Sequence, residues 1–421
     1  MDLRFKSLIY LTTIVLFLCA TSCEKKSSEI NLKKLPDPIK IELRSISEKA
    51  ILQSDQTFAF DFFSTVYDEE AKDEDNNFMV SPLSLSMALA MTWNGSAGET
   101  KTAMQTTLKM GDYSEDQVNG YYKMLKEALL KTDPSTKLSI ANSIWTNQFI
   151  PIKPSFIKTN QDFYDATIEG VDFGNSATVG RINKWASDNT NGLIEKVLDK
   201  TKPEDLMYLL NAIYFKGIWT SEFDPKNTSK QSFINENGES KMVDMMHQRD
   251  VFKYTEDDLM QVVQLPYGNE TFSMLVLLPT NGKNLKDVTT TLTNQDYWKT
   301  MKSRMMSREV VLSLPKFKTQ YSKKLNDVLT KMGMGIAFTD LADFSGMSDF
   351  PAKISFVKQD TYISTDEAGT EAAAVTTIGV ELTSAGPVDR VVFNANHPFL
   401  YIIQENSKGA ILFMGAVKKF E

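Results

Sequence analysis

The chain contains 421 residues, of which 42% are hydrophobic, and carries a net charge of −8 at neutral pH. This length and hydrophobic content suffice for one large core or two ordinary cores. The mild acidity argues against broad nucleic-acid binding, because that function needs a clustered basic face.

The N-terminus has the three regions of a secretory signal. Arg4 and Lys6 precede an apolar stretch, residues 7–20, that is short for a membrane span of about 20 residues. Small residues then lead to Cys23, as in a bacterial lipobox, in which the cysteine is lipidated and becomes the new N-terminus. We therefore predict a lipoprotein signal peptide over residues 1–22. An ordinary signal peptide with an incidental cysteine is the alternative.

The cysteine content limits the chemistry of the mature chain. The only other cysteine, Cys19, lies inside the predicted signal, so processing leaves Cys23 alone. This excludes a disulfide framework, a thiol nucleophile and a cysteine metal site. Residues 23–47 are polar and contain prolines, which predicts a flexible tether to a body over residues 48–421. We expect an exported lipoprotein of the cell envelope, at the outer membrane or cell surface, anchored through Cys23.

The first third of the body is predicted to be helical. Phe58 and Phe62 lie four residues apart in a run whose apolar spacing indicates an amphipathic helix. Ser81 followed by Pro82 is typical of a helix start, and the run after them is apolar on nearly all sides, as in a buried helix. The stretch RINKWASDNTNG predicts a further helix that ends at Gly192.

The remaining two thirds are predicted to consist mainly of strands. Short apolar or β-branched runs bounded by turn residues indicate them: LMYLLNAIYFKGIW, MQVVQLPYG, FSMLVLLP and EVVLSLPKFK. HPFLYIIQENSKGAILFMGAV predicts a hairpin that turns at NSKG. Helices followed by strands, without an internal repeat or an obvious linker, favour one large α+β domain with more than one sheet.

The sequence contains no recognisable catalytic motif. Of its two histidines, His397 precedes a strand and His247 lies beside a charged stretch, so we expect structural or surface positions. Neither accompanies a nucleophile elbow, and no metal, P-loop or dinucleotide spacing occurs. Sequons at Asn94, Asn227 and Asn269 carry no functional prediction. We therefore predict binding, inhibition or a structural role rather than an enzyme, without a cofactor or a metal.

The segment DEAGTEAAAVTTIGVELTSAGPVDR, residues 366–390, combines the composition of a loop with the alternation of a strand. Alternate residues from Thr370 to Leu382 are small or apolar, whereas the other phase contains Glu371 and Glu381. This period of two predicts a strand with one buried and one solvated face. Two interpretations are open from the pattern: a strand that can enter a large sheet, or a permanent edge strand followed by a glycine-rich turn.

Motifs along the whole body resemble those of serpins, and specifically those of bacterial lipoprotein serpins. DEAGTEAAA resembles the hinge of inhibitory members, and NHPFLYII and LFMGAV resemble the C-terminal signature. Further matches are NFMVSPLSLSMALAM, LSIANSIW, LLNAIYFKGIWTSEFDP, FSMLVLLP and LTKMGMGIAFTDLADFSGM. The resemblance covers about residues 50–421. It implies an α+β fold with three β-sheets, about eight to nine helices and an exposed reactive loop at about residues 367–392.

The resemblance implies a protease inhibitor that acts as a suicide substrate. The target protease cleaves the loop and forms an acyl-enzyme, and the cut loop inserts into the central sheet and distorts the protease before deacylation. The implied partner is a target protease in a covalent complex with a monomeric inhibitor that binds no nucleic acid. The alternative is a non-inhibitory serpin that acts as a binding or carrier module, although such members usually have bulky, charged or proline residues in the hinge.

The resemblance also assigns site residues by position. The implied hinge consists of small and acidic residues: Glu367, Gly369, Thr370, Glu371, Ala372, Ala373 and Ala374. A cluster where the sheet opens is implied at Ser81, Ser84, Asn211, Trp219 and Gln359. Many family members have histidine where this chain has Gln359. Glutamine forms hydrogen bonds without titrating, so a histidine-based pH dependence is not expected here.

Family spacing from the hinge puts the scissile bond between Thr383 and Ser384. Thr383 preceded by Leu382 implies an elastase-like or broad serine protease, and a papain-like cysteine protease is also open. The stretch that follows is slightly longer than usual in the family. Cleavage at Glu381, Leu382 or Ala385 therefore remains an alternative.

Overall fold

A computed structural model of the chain describes residues 35–73, 76–205, 207–370 and 390–421. Nine α-helices lie in these residues: α1 Ile46–Asp73, α2 Pro82–Trp93, α3 Gly98–Thr107, α4 Glu115–Lys131, α5 Pro154–Tyr164, α6 Ser176–Asn189, α7 Leu285–Leu292, α8 Gln295–Arg304 and α9 Asn326–Leu329. None of these described helices is both long enough and apolar enough to cross a bilayer.

The described residues also contain fifteen strands. They are β1 Phe78–Val80, β2 Lys137–Asn147, β3 Thr167–Val171, β4 Met207–Ile218, β5 Ser229–Ile234, β6 Ser240–Glu256, β7 Met260–Tyr267, β8 Phe272–Pro279, β9 Met306–Pro315, β10 Phe317–Lys324, β11 Phe356–Thr365, β12 Gly369–Thr370, β13 Val391–Asn394, β14 Phe399–Glu405 and β15 Ile411–Val417. β14 and β15 form the predicted hairpin.

The early helices form where hydrophobic spacing predicts them. Phe58 and Phe62 are buried on the inner side of α1, and their rings stack with centroids 5.7 Å apart. α2 begins at Pro82, and the Ser81 hydroxyl caps it by accepting the Ser84 N–H at 3.4 Å. All residues of α2 are buried. This confirms the prediction of an internal helix that starts at Pro82.

The third predicted helix ends earlier than expected. α6 ends at Asn189, three residues before Gly192. Asn191 and Gly192 have φ angles of 54° and 81°, in the left-handed region, which an α-helix cannot continue through. Gly192 therefore lies in the turn that follows the helix rather than at its last residue.

The smaller sheet has six strands in the order β10–β11–β12–β4–β2–β3. β11 runs antiparallel to β10 and parallel to β4. The short strand β12 lies between β11 and one end of β4, antiparallel to both. This arrangement produces the candidate site, because β4 and β11 are direct neighbours at one end and separated at the other.

The larger sheet has nine strands. Eight follow the order β1–β15–β14–β8–β7–β6–β9–β13, and β5 pairs with β6 beside them. β6 pairs with β7 through residues 253–256, whereas its earlier part pairs with β5 and β9. The long strand β6 therefore joins two groups of strands. The larger sheet thus contains two groups of strands joined by β6, and the smaller sheet is a separate third group. The α+β fold class is confirmed.

Strand β4 of the smaller sheet is buried on both faces. Successive residues of β4 alternate between two hydrophobic cores, with Leu209 in the main core and Tyr208 in a smaller one. The smaller core lies between α6 and this sheet and contains Trp145, Val171, Phe173, Ile182, Ala186, Ile194, Val197, Leu198, Tyr208 and Leu210. α6 therefore covers the part of the sheet in which β4 and β11 are direct neighbours.

Contact with the body begins before α1. Ile41 is 2% exposed, and its N–H donates to Ser407 Oγ at 2.9 Å in the turn between β14 and β15. Residues 1–34, including the predicted signal peptide and Cys23, lie outside the described residues. The boundaries of signal, tether and body stay predictions, although packing against the body is already present at Ile41.

Candidate functional site

The site is a split between β4 and β11 in the smaller sheet. At one end of the split, residues 356–360 of β11 pair directly with residues 208–212 of β4. At the other end, β12 lies between the same two strands. Between these contacts, residues 361–364 and 213–216 form no strand pairs with each other in the described chain. Over these four residues, the edges that β4 and β11 turn towards each other have no partner among the described residues.

The strand register allows the split to be filled without sliding either strand. Thr370 lies opposite Thr365 of β11 and Gly217 of β4, whose residue numbers differ by 148. Phe356 lies opposite Tyr208 in the direct pairing, and these numbers also differ by 148. A strand that continues from Thr370 would therefore meet both neighbours in the register that they already share.

Gly369 lies at the entrance of the split, where no larger residue fits. Its φ is 153°, a conformation that side chains disfavour. A Cβ atom there would lie 2.2 Å from the carbonyl oxygen of Gly217 and 2.7 Å from the Cα of Ile218. Glycine is therefore required for the chain to turn into the sheet this close to β4.

Thr370 and Trp219 meet at the entrance through Tyr267. The Thr370 side chain is buried, and its hydroxyl lies 2.7 Å from the Tyr267 hydroxyl. Tyr267 stacks on Trp219 with ring centroids 4.4 Å apart, and the Trp219 indole N–H donates to the Asp366 carbonyl oxygen at 3.0 Å. Burial raises the pKa of Tyr267, which keeps its hydroxyl protonated. Trp219 thus lies where the chain enters the sheet.

Glu367 anchors the start of the hinge. Its carboxylate forms an ion pair with Lys316 at 2.7 Å and accepts the Thr228 hydroxyl hydrogen at 2.7 Å. Its carbonyl oxygen accepts the Phe223 N–H at 2.9 Å. Burial acts to raise the pKa of Glu367, but the contacts with Lys316 and Thr228 outweigh it and lower the pKa below the ordinary value.

The sequence did not predict that two further carboxyl groups, those of Asp366 and Glu222, interact at the entrance. Asp366 closes the hinge turn by accepting the N–H groups of Ala368 and Gly369 at 3.0 and 3.2 Å. Burial nevertheless raises the pKa of Asp366. Burial, followed by the Asp366 charge, raises the pKa of Glu222. Residues 222 and 366 are distant in sequence, and no motif marks this pairing.

Two members of the implied opening cluster lie together beneath the directly paired end. Gln359 is buried and forms a reciprocal contact with residue 81: its Oε1 accepts the Ser81 N–H, and its Nε2 donates to the Ser81 carbonyl oxygen, both at 2.9 Å. The Ser81 hydroxyl donates to the Leu412 carbonyl oxygen at 2.7 Å. Gln359 therefore joins β11 to the start of α2 with groups that do not titrate.

The other residues of the implied opening region lie on α2 and β4 and beyond the end of β4. Ser84 is buried one turn into α2 and donates its N–H to Ser81. Only the backbone of Asn211 is described, and it lies opposite Gln359 in β4. Trp219 follows Asn211 by eight residues, or roughly 26 Å of extended strand. The structure thus separates Trp219, at the entrance, from Ser81 and Gln359.

Both histidines are held by neutral groups. His247 is half-buried, with Nδ1 2.9 Å from Ser313 Oγ and Nε2 2.9 Å from Gln231 Nε2, and burial lowers its pKa. His397 Nε2 lies 3.0 Å from the Pro279 carbonyl oxygen, beside the start of β14. The described residues contain no group of three or more histidine, cysteine or carboxylate side chains arranged to hold a metal ion.

The remaining predicted site residues lie outside the described part of the chain. They comprise the rest of the hinge, Glu371, Ala372, Ala373 and Ala374, the predicted scissile bond Thr383–Ser384, and the alternatives Glu381, Leu382 and Ala385. Of the predicted hinge, the structure therefore describes Glu367, Gly369 and Thr370.

Sequence comparison matches one family over most of the chain. The model described as "Serpin (serine protease inhibitor)" matches residues 53–419. A serpin-like protein of Methanosarcina acetivorans is 31% identical over 97% of each chain. Intracellular coagulation inhibitor 2 of Tachypleus tridentatus is 36% identical over 82% of this chain and 86% of its own.

Solved structures with the same architecture include native and ligand-bound proteins. The native state of the thermophilic serpin tengpin has a TM-score of 0.81 and 33% identity, and covers 93% of this chain and 99% of its own. Human thyroxine-binding globulin in complex with its hormone has a TM-score of 0.80 and 26% identity, and covers 89% of this chain and 99% of its own.

Proposed function

The chain belongs to the serpin family, whose members are generally protease inhibitors, and from this premise we propose that it traps a protease as a suicide substrate. One observation carries the proposal. Gly369 and Thr370 already lie between β4 and β11, and beyond them residues 361–364 and 213–216 form no pairs with each other in the described chain. The site is thus a strand position that only a further segment of extended chain can complete.

The reactive loop is the segment that fits this position. Residues 371–374 would lie opposite residues 361–364 of β11 and 213–216 of β4, in the register that Thr370 sets. Further insertion would replace the direct pairs at residues 356–360. Each inserted residue would form backbone hydrogen bonds with either β4 or β11. Each such bond would stabilise the inserted state by about 0.5–1.5 kcal/mol. Cleavage of the loop removes the tether at its far end that otherwise limits insertion.

In this mechanism the protease supplies the chemistry and the inhibitor supplies the fold. The protease nucleophile attacks the carbonyl carbon of Thr383, the peptide bond to Ser384 breaks, and Thr383 becomes esterified or thioesterified to the protease. Insertion of residues 370–382 then carries the protease along roughly 40 Å of strand, at about 3.3 Å per residue. The inhibitor contributes no catalytic residue, so its contribution is the free energy that insertion releases.

The loop sequence favours an elastase-like or broad serine protease, or a papain-like cysteine protease. Thr383 would enter the primary pocket of the first class, and Leu382 would suit the preference of the second. Glu381, Leu382 and Ala385 remain alternative cleavage sites.

We also propose that the protein acts as an exported bacterial lipoprotein in the cell envelope, anchored through Cys23. The basic, apolar and small-residue regions of residues 1–22 support this localisation. We propose a monomer that contacts the membrane only through its lipid.

A carrier function is the second candidate, because thyroxine-binding globulin, a hormone-binding protein by its name, shares the fold. The hinge favours inhibition instead. A buried Thr370 followed by Ala372, Ala373 and Ala374 in the sequence permits insertion, whereas bulky or charged residues would obstruct it.

The proposal is tested by incubating the protein with a panel of elastase-like and papain-like proteases. We expect a complex that resists SDS and a released C-terminal peptide whose mass identifies Ser384 as its first residue. Cleavage of the loop by every protease in the panel, without a covalent complex, would contradict inhibition. Prior inactivation of the protease at its nucleophile is the matched control, and it should abolish the complex.

A further inference from the structure

At the end of the split that α6 covers, one lysine of β11 binds the segment that leads into β4. Lys358 of β11 donates from Nζ to the carbonyl oxygen of Val197 at 2.6 Å. Val197 belongs to the crossover segment, residues 193–198, which lies between α6 and β4 in the chain. Lys358 thus joins β11 to a segment that continues covalently into β4, the strand on the opposite side of the split.

The crossover segment is itself held to α6 by one asparagine. Asn183 Oδ1 accepts the N–H groups of Val197 and Leu198, both at 2.9 Å, and Asn183 Nδ2 donates to the Leu198 carbonyl oxygen at 2.8 Å. Val197 and Leu198 are also buried in the smaller core. Three hydrogen bonds and the shared core therefore join the segment to α6, so a displacement of Val197 would strain the contacts of both.

The position of Lys358 along the split sets what it can resist. Lys358 lies opposite Leu210 in the direct pairing, beyond the four positions, residues 361–364, at which β11 does not pair directly with β4. An inserting strand would fill those four positions first and would then separate β11 from β4 by one further strand spacing, about 4.8 Å. The 2.6 Å contact between Lys358 and Val197 cannot survive that separation unless the crossover segment and α6 move with β11.

We propose that Lys358, supported by Asn183, is a latch that limits how far the uncleaved loop enters the sheet. This inference rests on the proposed function and names the element that regulates it. Insertion up to residue 374 leaves the latch closed, and insertion as far as residue 377, which the shared register places opposite Lys358, requires its release. Lys358 is a positioning residue, since it contacts neither the loop nor a protease in the described structure.

Strand uptake from solution tests the latch without a protease. The full chain is mixed with a labelled synthetic peptide of residues 370–382, and the rate of incorporation is followed by native electrophoresis. Lys358→Met keeps the aliphatic stem and removes the donor, so we expect uptake about tenfold faster, the effect of losing one hydrogen bond from a charged group in the barrier to opening. Lys358→Arg, which keeps a charged donor, should restore a rate close to that of the unchanged protein.

Asp360→Asn is the matched control. Lys358 also forms an ion pair with Asp360 at 3.0 Å, so Lys358→Met breaks two contacts. Asp360→Asn removes the ion pair alone and leaves the Val197 contact intact, and we expect its uptake rate within about twofold of the unchanged protein. Equal rates for Lys358→Met and Asp360→Asn would overturn the latch.

Hydrogen exchange separates failure of the latch from failure of the proposed function. Without peptide or protease, Lys358→Met should accelerate amide exchange at Val197 and Leu198, whose N–H groups bond to Asn183, and leave exchange at Gly369 unchanged. Unchanged exchange at Val197 and Leu198 would overturn the latch whatever the protease assays show. Faster exchange in a protein that never traps a protease would support the latch and contradict the inhibitory function.

Discussion

The two ends of the split between β4 and β11 are built differently. At the end that α6 covers, five residue pairs join the strands directly, and the ring of Tyr208 lies 4.6 Å from that of Phe173 and 4.4 Å from that of Phe356. At the entrance, Gly369 and Thr370 are the described residues that lie between the strands. The same two strands are thus joined by direct pairs and packed side chains at one end and, among the described residues, by the short strand β12 at the other. A sheet built in this way can be stable and still accept a strand.

The largest expected effect comes from placing a charge at the entrance. Thr370→Arg would bury a guanidinium beside the Tyr267 hydroxyl, at a cost of several kcal/mol. We expect the variant to be cleaved as a substrate and to trap less than about a hundredth as much protease. The yield of SDS-resistant complex per cleavage measures this. Trapping at the unchanged yield would contradict insertion at the entrance.

Thr370→Val is the matched control for that variant. Valine keeps the branched shape and loses only the hydroxyl contact with Tyr267. We expect a loss of about 1 kcal/mol in stability and little change in trapping.

The covered end is tested by removing its central ring. Tyr208→Ala deletes a buried side chain that contacts both Phe173 and Phe356, and we expect the free energy of unfolding to fall by about 3 kcal/mol. Urea denaturation measures the change. Leu341→Ala, at a side chain that is 80% exposed, is the control and should change stability by less than about 0.5 kcal/mol. Equal effects of the two variants would remove the contrast between the two ends.

Gly369→Ala tests the close approach at the entrance. The new Cβ would clash with the backbone of Gly217 and hold an unfavourable φ, so we expect a loss of about 2 kcal/mol or withdrawal of the hinge from the sheet. Thermal unfolding and amide exchange at Thr370 distinguish these outcomes. Gly120→Ala, in α4 and with open space around the new methyl group, should instead stabilise the protein by about 0.5–1 kcal/mol. A neutral Gly369→Ala would show that the entrance is not tightly packed.

The anchor at Glu367 should have a smaller effect. Glu367→Gln keeps the contact with Thr228 and weakens that with Lys316, a partly exposed pair, so we expect a loss of about 1 kcal/mol that shrinks at high salt. A double-mutant cycle with Lys316→Met, read by thermal unfolding, isolates the pair. Additive effects of the two changes would show that the pair contributes nothing to holding the hinge.

The smallest effect concerns pH at the entrance. A carboxyl group whose pKa is raised in the native state favours folding when it is protonated, as for Glu222 and Asp366. Native stability should therefore rise as the pH falls towards the raised pKa values of these two groups, and less steeply in Glu222→Gln. Glu367, with its lowered pKa, opposes this only below its ordinary pKa. Thermal midpoints across this range measure how stability changes with pH. The same pH dependence in the unchanged protein and in Glu222→Gln would contradict the interaction between Glu222 and Asp366.

Sequence patterns predict the parts of this molecule that local chemistry determines. The start of α2 follows from Ser81 and Pro82, because cap and first-turn preferences act within a few residues. The class of fold follows from the order of helices and strands. The end of α6 was misplaced by three residues, because glycine in a left-handed turn marks the region of a helix end and not its last residue.

The contacts of the site could not be predicted in the same way. The resemblance implies roles for Trp219 and Gln359 where the sheet opens, but only the strand register gives their distance along the split. The latch between Lys358 and Val197 joins residues 161 positions apart and has no local signature. Long-range pairs of this kind depend on the tertiary fold, so a single sequence carries no pattern for them.

The strand order after cleavage tests the central claim most directly. A crystal structure of the protein cut within residues 371–389 should show a new strand between β4 and β11, with Val375 opposite Asp360 on one side and Ala212 on the other, as the shared register requires. Retention of the direct pairs between residues 356–360 and 208–212 in the cleaved protein would contradict strand insertion.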